Sequence, residues 1–464
     1  VGSDNTGAIW GTVYFGQGGN VNKIIEWGSE EQKWDFVGAA WAIRAWGWLE
    51  LTNQYGDAIL KEAFRQDQSQ FHYDTQPEFY DSVRVICFRA LSFLNRTDGN
   101  LGQKFAEADA YFNKGDISKW KKFVYGILAR SYIDLSSKNI FKTNHYADSA
   151  IKYASLAQTT NADNSMASFS AKTTANGYNS YFGPTRSNIG TIRQGQYIAD
   201  LMSGANPVVF QGVADPRAWY MLSENANKTF KGVHPWLGVT EYLSGTKPTA
   251  DYPKNFWRDP VQINTAGSLG LNDSARYVYS NEGPWPIMTA SEMQFIIAEA
   301  NYLKGDKVAA LAAYTNGISL DFDLLTTTYS KAIPAGHAIT PATKDAYLAD
   351  PNIVPATASE LTLSQIMLQK YIALYGWGTH QTWIDMRKYH YVDVDQTTGI
   401  QVYAGFTPPP TTPINYLIST NNGKYVYRCR PRYNSEYLYD IPELTRIGAL
   451  DLDYITKECW FSQP

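Results

Sequence analysis

The stretch from Ser291 to Asp323, SEMQFIIAEANYLKGDKVAALAAYTNGISLDFD, constrains the fold of this chain more than any other. It reads as one helix–turn–helix repeat with its turn at Gly305-Asp306. Behind the turn, Ala310, Tyr314 and Gly317 recur at spacings of four and three. Paired helices approach closely only where small side chains let the backbones in, which is what Ala310 and Gly317 offer. A lone hairpin cannot bury its own apolar face, so this one requires others to stack against.

The rest of the chain supplies them. Asp35 to Tyr55 carries Trp41, Ala45, Trp48, Leu49 and Tyr55 at helical spacings and stops at Gly56-Asp57. Pro77 opens a partner striped by Tyr80, Val83, Cys87, Ala90, Leu91 and Leu94, ended by Asp98-Gly99-Asn100. After Gly115-Asp116, with Ser118 as the expected N-cap, Trp120, Phe123, Ile127 and Leu128 share one face. Its partner, from Tyr146, shows a small-residue face of Ala147, Ala150, Ile151, Ala154 and Ala157. A fourth block starts at Ser359 and runs past Gly376 to Tyr389. Hairpins at about 35–95, 116–158, 288–322 and 359–390 predict an all-α (mainly α-helical) single domain over 1–464. The repeats are tetratricopeptide-like, with little β structure.

Between about 160 and 286 the texture changes to Gly, Asn, Ser, Thr and Pro, with helical periodicity only near Tyr197–Met202. So long an irregular insertion in a compact protein reads as a ligand-facing surface rather than a linker. Residues 408–433 are similar and suggest a small hairpin around Asn422-Gly423.

Aromatics deserve separate sorting, because 14 Trp, 33 Tyr and 20 Phe exceed what core packing requires. Trp41, Trp48, Trp120 and Tyr314 fall on helical stripes and belong to the core. Trp236, Tyr242, Trp257 and Trp285 lie off any stripe, in HPWLGVTEYLSG, PKNFWRDP and NEGPWPIM. Sugar rings present apolar C–H faces that stack on such side chains, so these four are candidate ligand contacts. For each singly, anchoring its loop is the competing use.

Function classes narrow further. A net charge of −4 gives no basic footprint for nucleic acid. No apolar run approaches the roughly 20 residues of a membrane helix, and nothing at Val1 resembles an export signal, so one would already have been removed. Three cysteines allow at most a Cys429–Cys459 bridge, with Cys87 on an apolar helical face. The six histidines form neither HExxH nor a ligand pair, and G-x-S-x-G, Walker A and GxGxxG are all missing. Catalytic residues, metal and cofactor are therefore expected to be none. Asp57, Asp116, Glu299 and Asp385 read as capping and ion-pairing groups.

Several separated motifs, in order, resemble the SusD/RagB family of outer-membrane nutrient-binding lipoproteins. They are Arg44-Ala45 with Tyr55-Gly56-Asp57, Tyr73-Asp74-Thr75-Gln76, Gly115-Asp116 with Lys119–Phe123, Asp215-Pro216-Arg217, and Ser291-Glu292 with Ala298-Glu299-Ala300. Gln369–Leu374, Trp383 with Asp385 and Arg387, and Pro431–Glu436 complete the set. The resemblance implies a non-enzymatic, cell-surface glycan-binding protein of a Gram-negative outer membrane. It would deliver oligo- or polysaccharide to a SusC-type TonB-dependent transporter and be held by a lipidated N-terminal Cys absent from this chain. It also places the loop with Phe71 and Tyr73 near the insertion, adding both to the ligand candidates. A helical glycoside hydrolase and a tetratricopeptide scaffold that binds only protein remain the alternatives.

Overall fold

The computed structural model describes residues 4–170, 179–186, 188–257, 275–411 and 417–464. They group into two compact units, one of residues 1–157, 383–390 and 410–464, the other of 158–382 and 391–409. Helix dominates both.

In the first unit, α1 (Gly18–Glu30) leads into α2 (Trp34–Tyr55), which stops where Gly56 turns to φ 81°. Only glycine takes that conformation without strain. Helix α3 (Gln76–Leu94) starts from a capping box in which Thr75 and Glu78 satisfy each other's backbone, with Pro77 in its first turn. The two helices nearly touch at Gly38, where a Cβ would fall 2.6 Å from Leu94 Cγ. Val37, Ala45, Val83 and Cys87 fill the seam. Trp41 departs from expectation. It is only partly buried, at the seam's edge, with the Arg89 guanidinium 4.7 Å over its ring.

The next hairpin pairs α4 (Ile117–Ile133) with α5 (Tyr146–Leu156), and its alanine face is buried as the spacing predicts. Its N-cap is Asp116 rather than Ser118. The Asp116 carboxylate accepts the Ser118 and Lys119 amides, placing Ser118 already inside the first turn. Trp120 is in the core, its indole N–H donating to Asp109 Oδ2 at 2.8 Å.

The second unit carries the repeat from which the sequence argument began. Helices α6 (Gln196–Ser203), α7 (Ala290–Lys304), α8 (Lys307–Thr328), α9 (Pro341–Ala349) and α10 (Leu363–Ala373) belong to it. Gly305 (φ 87°) ends α7, and Asp306 caps α8 by accepting the Ala309 amide. At Gly317 a Cβ would lie 3.0 Å from the Phe295 ring, and Ser291 Oγ donates to the Gly317 carbonyl at 2.7 Å. Ala310 and Tyr314 are fully buried. Small residues do hold this hairpin together. Helix α11 (Thr379–Lys388) follows α10 and passes its second half to the first unit.

Among the described residues the only sheet is an antiparallel pair, β1 (Ser165–Ala167) with β2 (Trp285–Met288), Ala167 lying opposite Trp285. These short strands clasp the two ends of the irregular insertion, a feature the sequence reading did not anticipate.

Two further expectations change. No strand pair forms around Asn422-Gly423 among the described residues. Asn422 and Gly423 do turn to positive φ, but Tyr427 and Arg428 donate their amides to the Ile455 carbonyl and Cys429 donates to that of Gln54, so the flanks are bonded elsewhere. Residues 412–416 of that segment lie outside the described residues. All three cysteines are free; Cys459 Sγ is directed at the Tyr427 carbonyl instead.

Asp57, Asp116, Glu299 and Asp385 have the structural uses expected of them. Asp57 accepts the Gln76 amide, Glu299 faces Lys370 at 3.9 Å in the core, and Asp385 pairs with Lys388 at 3.0 Å.

Candidate functional site

The insertion is held by buried polar anchors. Arg217 of the Asp215-Pro216-Arg217 motif is fully buried. It donates to both Asp215 oxygens, to Asp321 Oδ2 on α8 at 2.8 Å and to Gln369 Oε1 on α10 at 2.6 Å. Tyr347 on α9 closes the network by donating to Asp215 Oδ2. A planar guanidinium with several fixed donors suits such a junction better than a lysine would. Arg276 is likewise buried and pairs with Glu224 at 2.6 Å. The segment therefore has fixed positions from which to present side chains.

Four sequence-predicted candidates lie on this insertion, and they divide into two local groups. Trp285 on β2 is partly exposed and stacks on Phe182, with centroids 4.6 Å apart and planes 20° from parallel. Tyr181, 55% exposed, stands edge-on to Phe182. Trp257 lies beneath them. It is 3% exposed, and its indole N–H donates to the Phe182 carbonyl at 2.9 Å. Its neighbours Arg258 and Asp259 lie outside the described residues. The result is a short aromatic platform, Tyr181–Phe182–Trp285, with Trp285 held on β2 and the Phe182 backbone pinned by the Trp257 indole.

Trp236 and Tyr242 form the second group, in the loop 232–247. Gly232 lets that loop touch α6, since a Cβ there would lie 2.3 Å from the Gly195 carbonyl. Tyr242 is buried; its hydroxyl donates to the Gly232 carbonyl at 2.7 Å, and desolvation pushes its pKa up to about 12. Trp236 is partly exposed and leans on His234, centroids 5.1 Å apart. Around them, Glu241 accepts the His234 amide at 2.9 Å and the Lys247 ammonium at 2.9 Å. Burial would raise the Glu241 carboxyl, but those two partners outweigh it and hold the group below its ordinary value.

Phe71 and Tyr73 belong to the first unit. Phe71 is half-buried and lines a cavity of about 440 Å³. Tyr73 is 1% exposed, and its hydroxyl donates to Glu436 Oε2 at 2.5 Å, so it builds the wall behind that cavity rather than its surface.

Of the six candidates, then, Trp236, Trp285 and Phe71 keep accessible ring surface, while Tyr242, Trp257 and Tyr73 are anchors. The sequence reading passed over Tyr181 and Phe182. The signal was available, because an aromatic pair before Gly183-Pro184 in an aperiodic stretch has the same flanks as Trp285. Among the described residues no group of three or more His, Cys, Asp or Glu side chains could hold a metal ion, and no helix is long and apolar enough to cross a membrane.

Comparison with known proteins adds a family-level finding. The SusD-like family model described as "Starch-binding associating with outer membrane" matches residues 3–405. Solved structures with the same fold include a SusD/RagB family protein from Bacteroides thetaiotaomicron (TM-score 0.65, 19% identity, covering 98% of this chain and 86% of that one). A chitin-binding SusD homolog from Flavobacterium johnsoniae is also similar (TM-score 0.63, 17% identity, 98% and 86% covered). So is a structure described as a chitin-binding protein (TM-score 0.67, 19% identity, 100% and 89% covered). At these identities the likeness establishes the fold alone. No curated protein matches the chain in sequence.

Proposed function

The chain belongs to the SusD-like family, and we propose that it captures an oligo- or polysaccharide at the outer-membrane surface without modifying it. The observation that carries this reading is the Tyr181–Phe182–Trp285 platform. The ring surface that Tyr181, Phe182 and Trp285 leave accessible, with Trp285 held on β2 and Phe182 stacked on it, offers apolar area to sugar rings, and the polar loop around Trp236 offers hydrogen bonds to hydroxyl groups. The family description and the chitin-binding relatives favour a glycan over a peptide as the ligand. Delivery to a SusC-type TonB-dependent transporter, with anchoring through a lipidated N-terminal cysteine, completes the proposal.

Calorimetric titration against a panel of starch- and chitin-derived oligosaccharides tests it. Trp285→Ala and Trp236→Ala should each weaken binding of the best ligand. A stacking contribution of about 0.5–1.5 kcal/mol beyond area burial corresponds to a roughly 2- to 13-fold loss, with little change in melting temperature. Absence of binding across the panel would overturn the reading, and product release abolished by one carboxylate substitution would replace it with a hydrolase. Co-purification with a transporter encoded nearby tests the delivery step.

A further inference from the structure

The first unit holds a cavity that the glycan platform does not use. Trp10, Tyr14, Phe64 and Phe71 line it, with Phe15 (88% exposed) and Tyr439 (62% exposed) also on its wall. At about 440 Å³ it has the size of a small-molecule site. The walls are preorganised. Trp10 is 2% exposed, edge-on to Tyr55 at 5.2 Å, and tilted against Tyr14 and Tyr73 at 5.1 and 5.5 Å. The Tyr14 hydroxyl is fixed on the Ile59 carbonyl at 2.7 Å.

Two carboxylates complete the lining, Glu436 and Asp440, 6% and 3% exposed. Glu436 accepts the Trp10 indole N–H at 3.2 Å through Oε1 and the Tyr73 hydroxyl through Oε2. Asp440 accepts the Phe71 amide at 3.1 Å through Oδ2. Among the described residues neither has a cation within ion-pair distance. The arginines on the lining are engaged elsewhere, Arg65 with Asp67 at 2.7 Å and Arg432 with Asp4 at 3.3 Å. Nearby His72 and Arg446 both pair with Glu443. Burial raises both carboxyl groups above their ordinary values, as expected of buried acids lacking a counter-ion.

The cavity thus offers hydrogen-bond acceptors and π faces, with its nearby cationic donors already paired. A neutral sugar needs donors as well as acceptors, whereas an ammonium group is all donor and is attracted by both the carboxylates and the ring faces. We propose that this cavity is a binding site for a compact ammonium group, such as the free amine of a hexosamine unit. It is separate from the Tyr181–Phe182–Trp285 platform and does not depend on glycan capture there.

Titrating the full chain with glucosamine, N-acetylglucosamine and tetramethylammonium at pH 6.5 and matched ionic strength tests this. Glucosamine and N-acetylglucosamine share the ring and differ in the charge. Glucosamine should bind about tenfold more tightly, the order a desolvated cation–π contact supplies, and tetramethylammonium should compete with it. Asp440→Asn should remove most of that preference, and Phe15→Ala, at an exposed wall position, should weaken glucosamine without disturbing the fold. Glu436→Gln adds a third arm, and if it fails to fold the other two still decide. Trp285→Ala should leave glucosamine binding unchanged, which separates this site from the platform. Equal affinity for the two sugars, no saturable binding of glucosamine, or an unaltered preference in Asp440→Asn would each overturn the proposal.

Discussion

Replacing Arg217 by Met would test whether buried polar anchoring fixes the irregular insertion. Methionine keeps most of the side-chain length and apolar contact with the Phe322 ring, which the guanidinium approaches to 4.9 Å, but it removes every donor. Asp215 and Asp321, 3% and 1% exposed, would then lose their shared cation, and Gln369 Oε1 would lose a 2.6 Å partner. Breaking a buried pair by deleting one side costs about 3–5 kcal/mol, because the remaining charge stays desolvated. At a urea m-value of roughly 3 kcal/mol/M, the unfolding midpoint should fall by about 1–1.7 M.

The pH dependence sharpens the test. Burial raises the Asp321 carboxyl above its ordinary value even though Arg217 pulls it down. A raised folded-state value means stability that is full below the ordinary carboxylate range and lost as pH climbs through the raised value. Removing Arg217 raises it further, so the deficit should be largest near pH 7 and shrink toward lower pH, where the orphaned Asp321 carboxylate takes up a proton. Adding Asp215→Asn and Asp321→Asn to the variant should recover part of the loss at pH 7. Urea unfolding followed by circular dichroism at pH 7 and at lower pH is the assay. An unshifted midpoint at pH 7, or a deficit that does not change with pH, would refute the anchoring argument.

The scaffold was legible in sequence because its determinants are local. Gly56 and Gly305 stop helices, Pro77 opens one, and the small residues at Ala310 and Gly317 sit within one hairpin. Cap identity was less so: Ser118 and Asp116 are both good caps, and the choice depends on where the first turn begins. The loop aromatics were legible as a set and not individually. Trp257 and Trp285 both lie near prolines in aperiodic stretches, yet Trp257 is buried, with its indole N–H on the carbonyl of Phe182, 75 residues earlier. Phe71 and Asp440, 369 residues apart, meet at the cavity for reasons no local pattern carries. What sequence periodicity resolves is which face of a helix is apolar, and an aperiodic segment has no such face to read.

Remaining predictions concern packing and the platform. Trp120→Ala removes a core indole and its bond to Asp109, and should destabilise the protein by about 3–5 kcal/mol in chemical denaturation. Ala310→Trp should overpack the α7–α8 hairpin and cost about 1–3 kcal/mol, and an unchanged melt would count against that packing. Trp257→Phe is the most discriminating of these. It keeps an aromatic ring in the core but deletes the 2.9 Å bond to the Phe182 carbonyl, leaving a loss of about 0.5–1.5 kcal/mol concentrated under the platform. With Trp257 only 3% exposed, a ligand stacked on Trp285 gains nothing from it directly. Weakened glycan binding in Trp257→Phe, smaller than in Trp285→Ala and with a nearly unchanged melt, would therefore report loosened positioning of Phe182 and Trp285. Wild-type affinity in this variant, alongside a clear loss in Trp285→Ala, would mean the strand alone holds the platform and the pin beneath it has no part in binding.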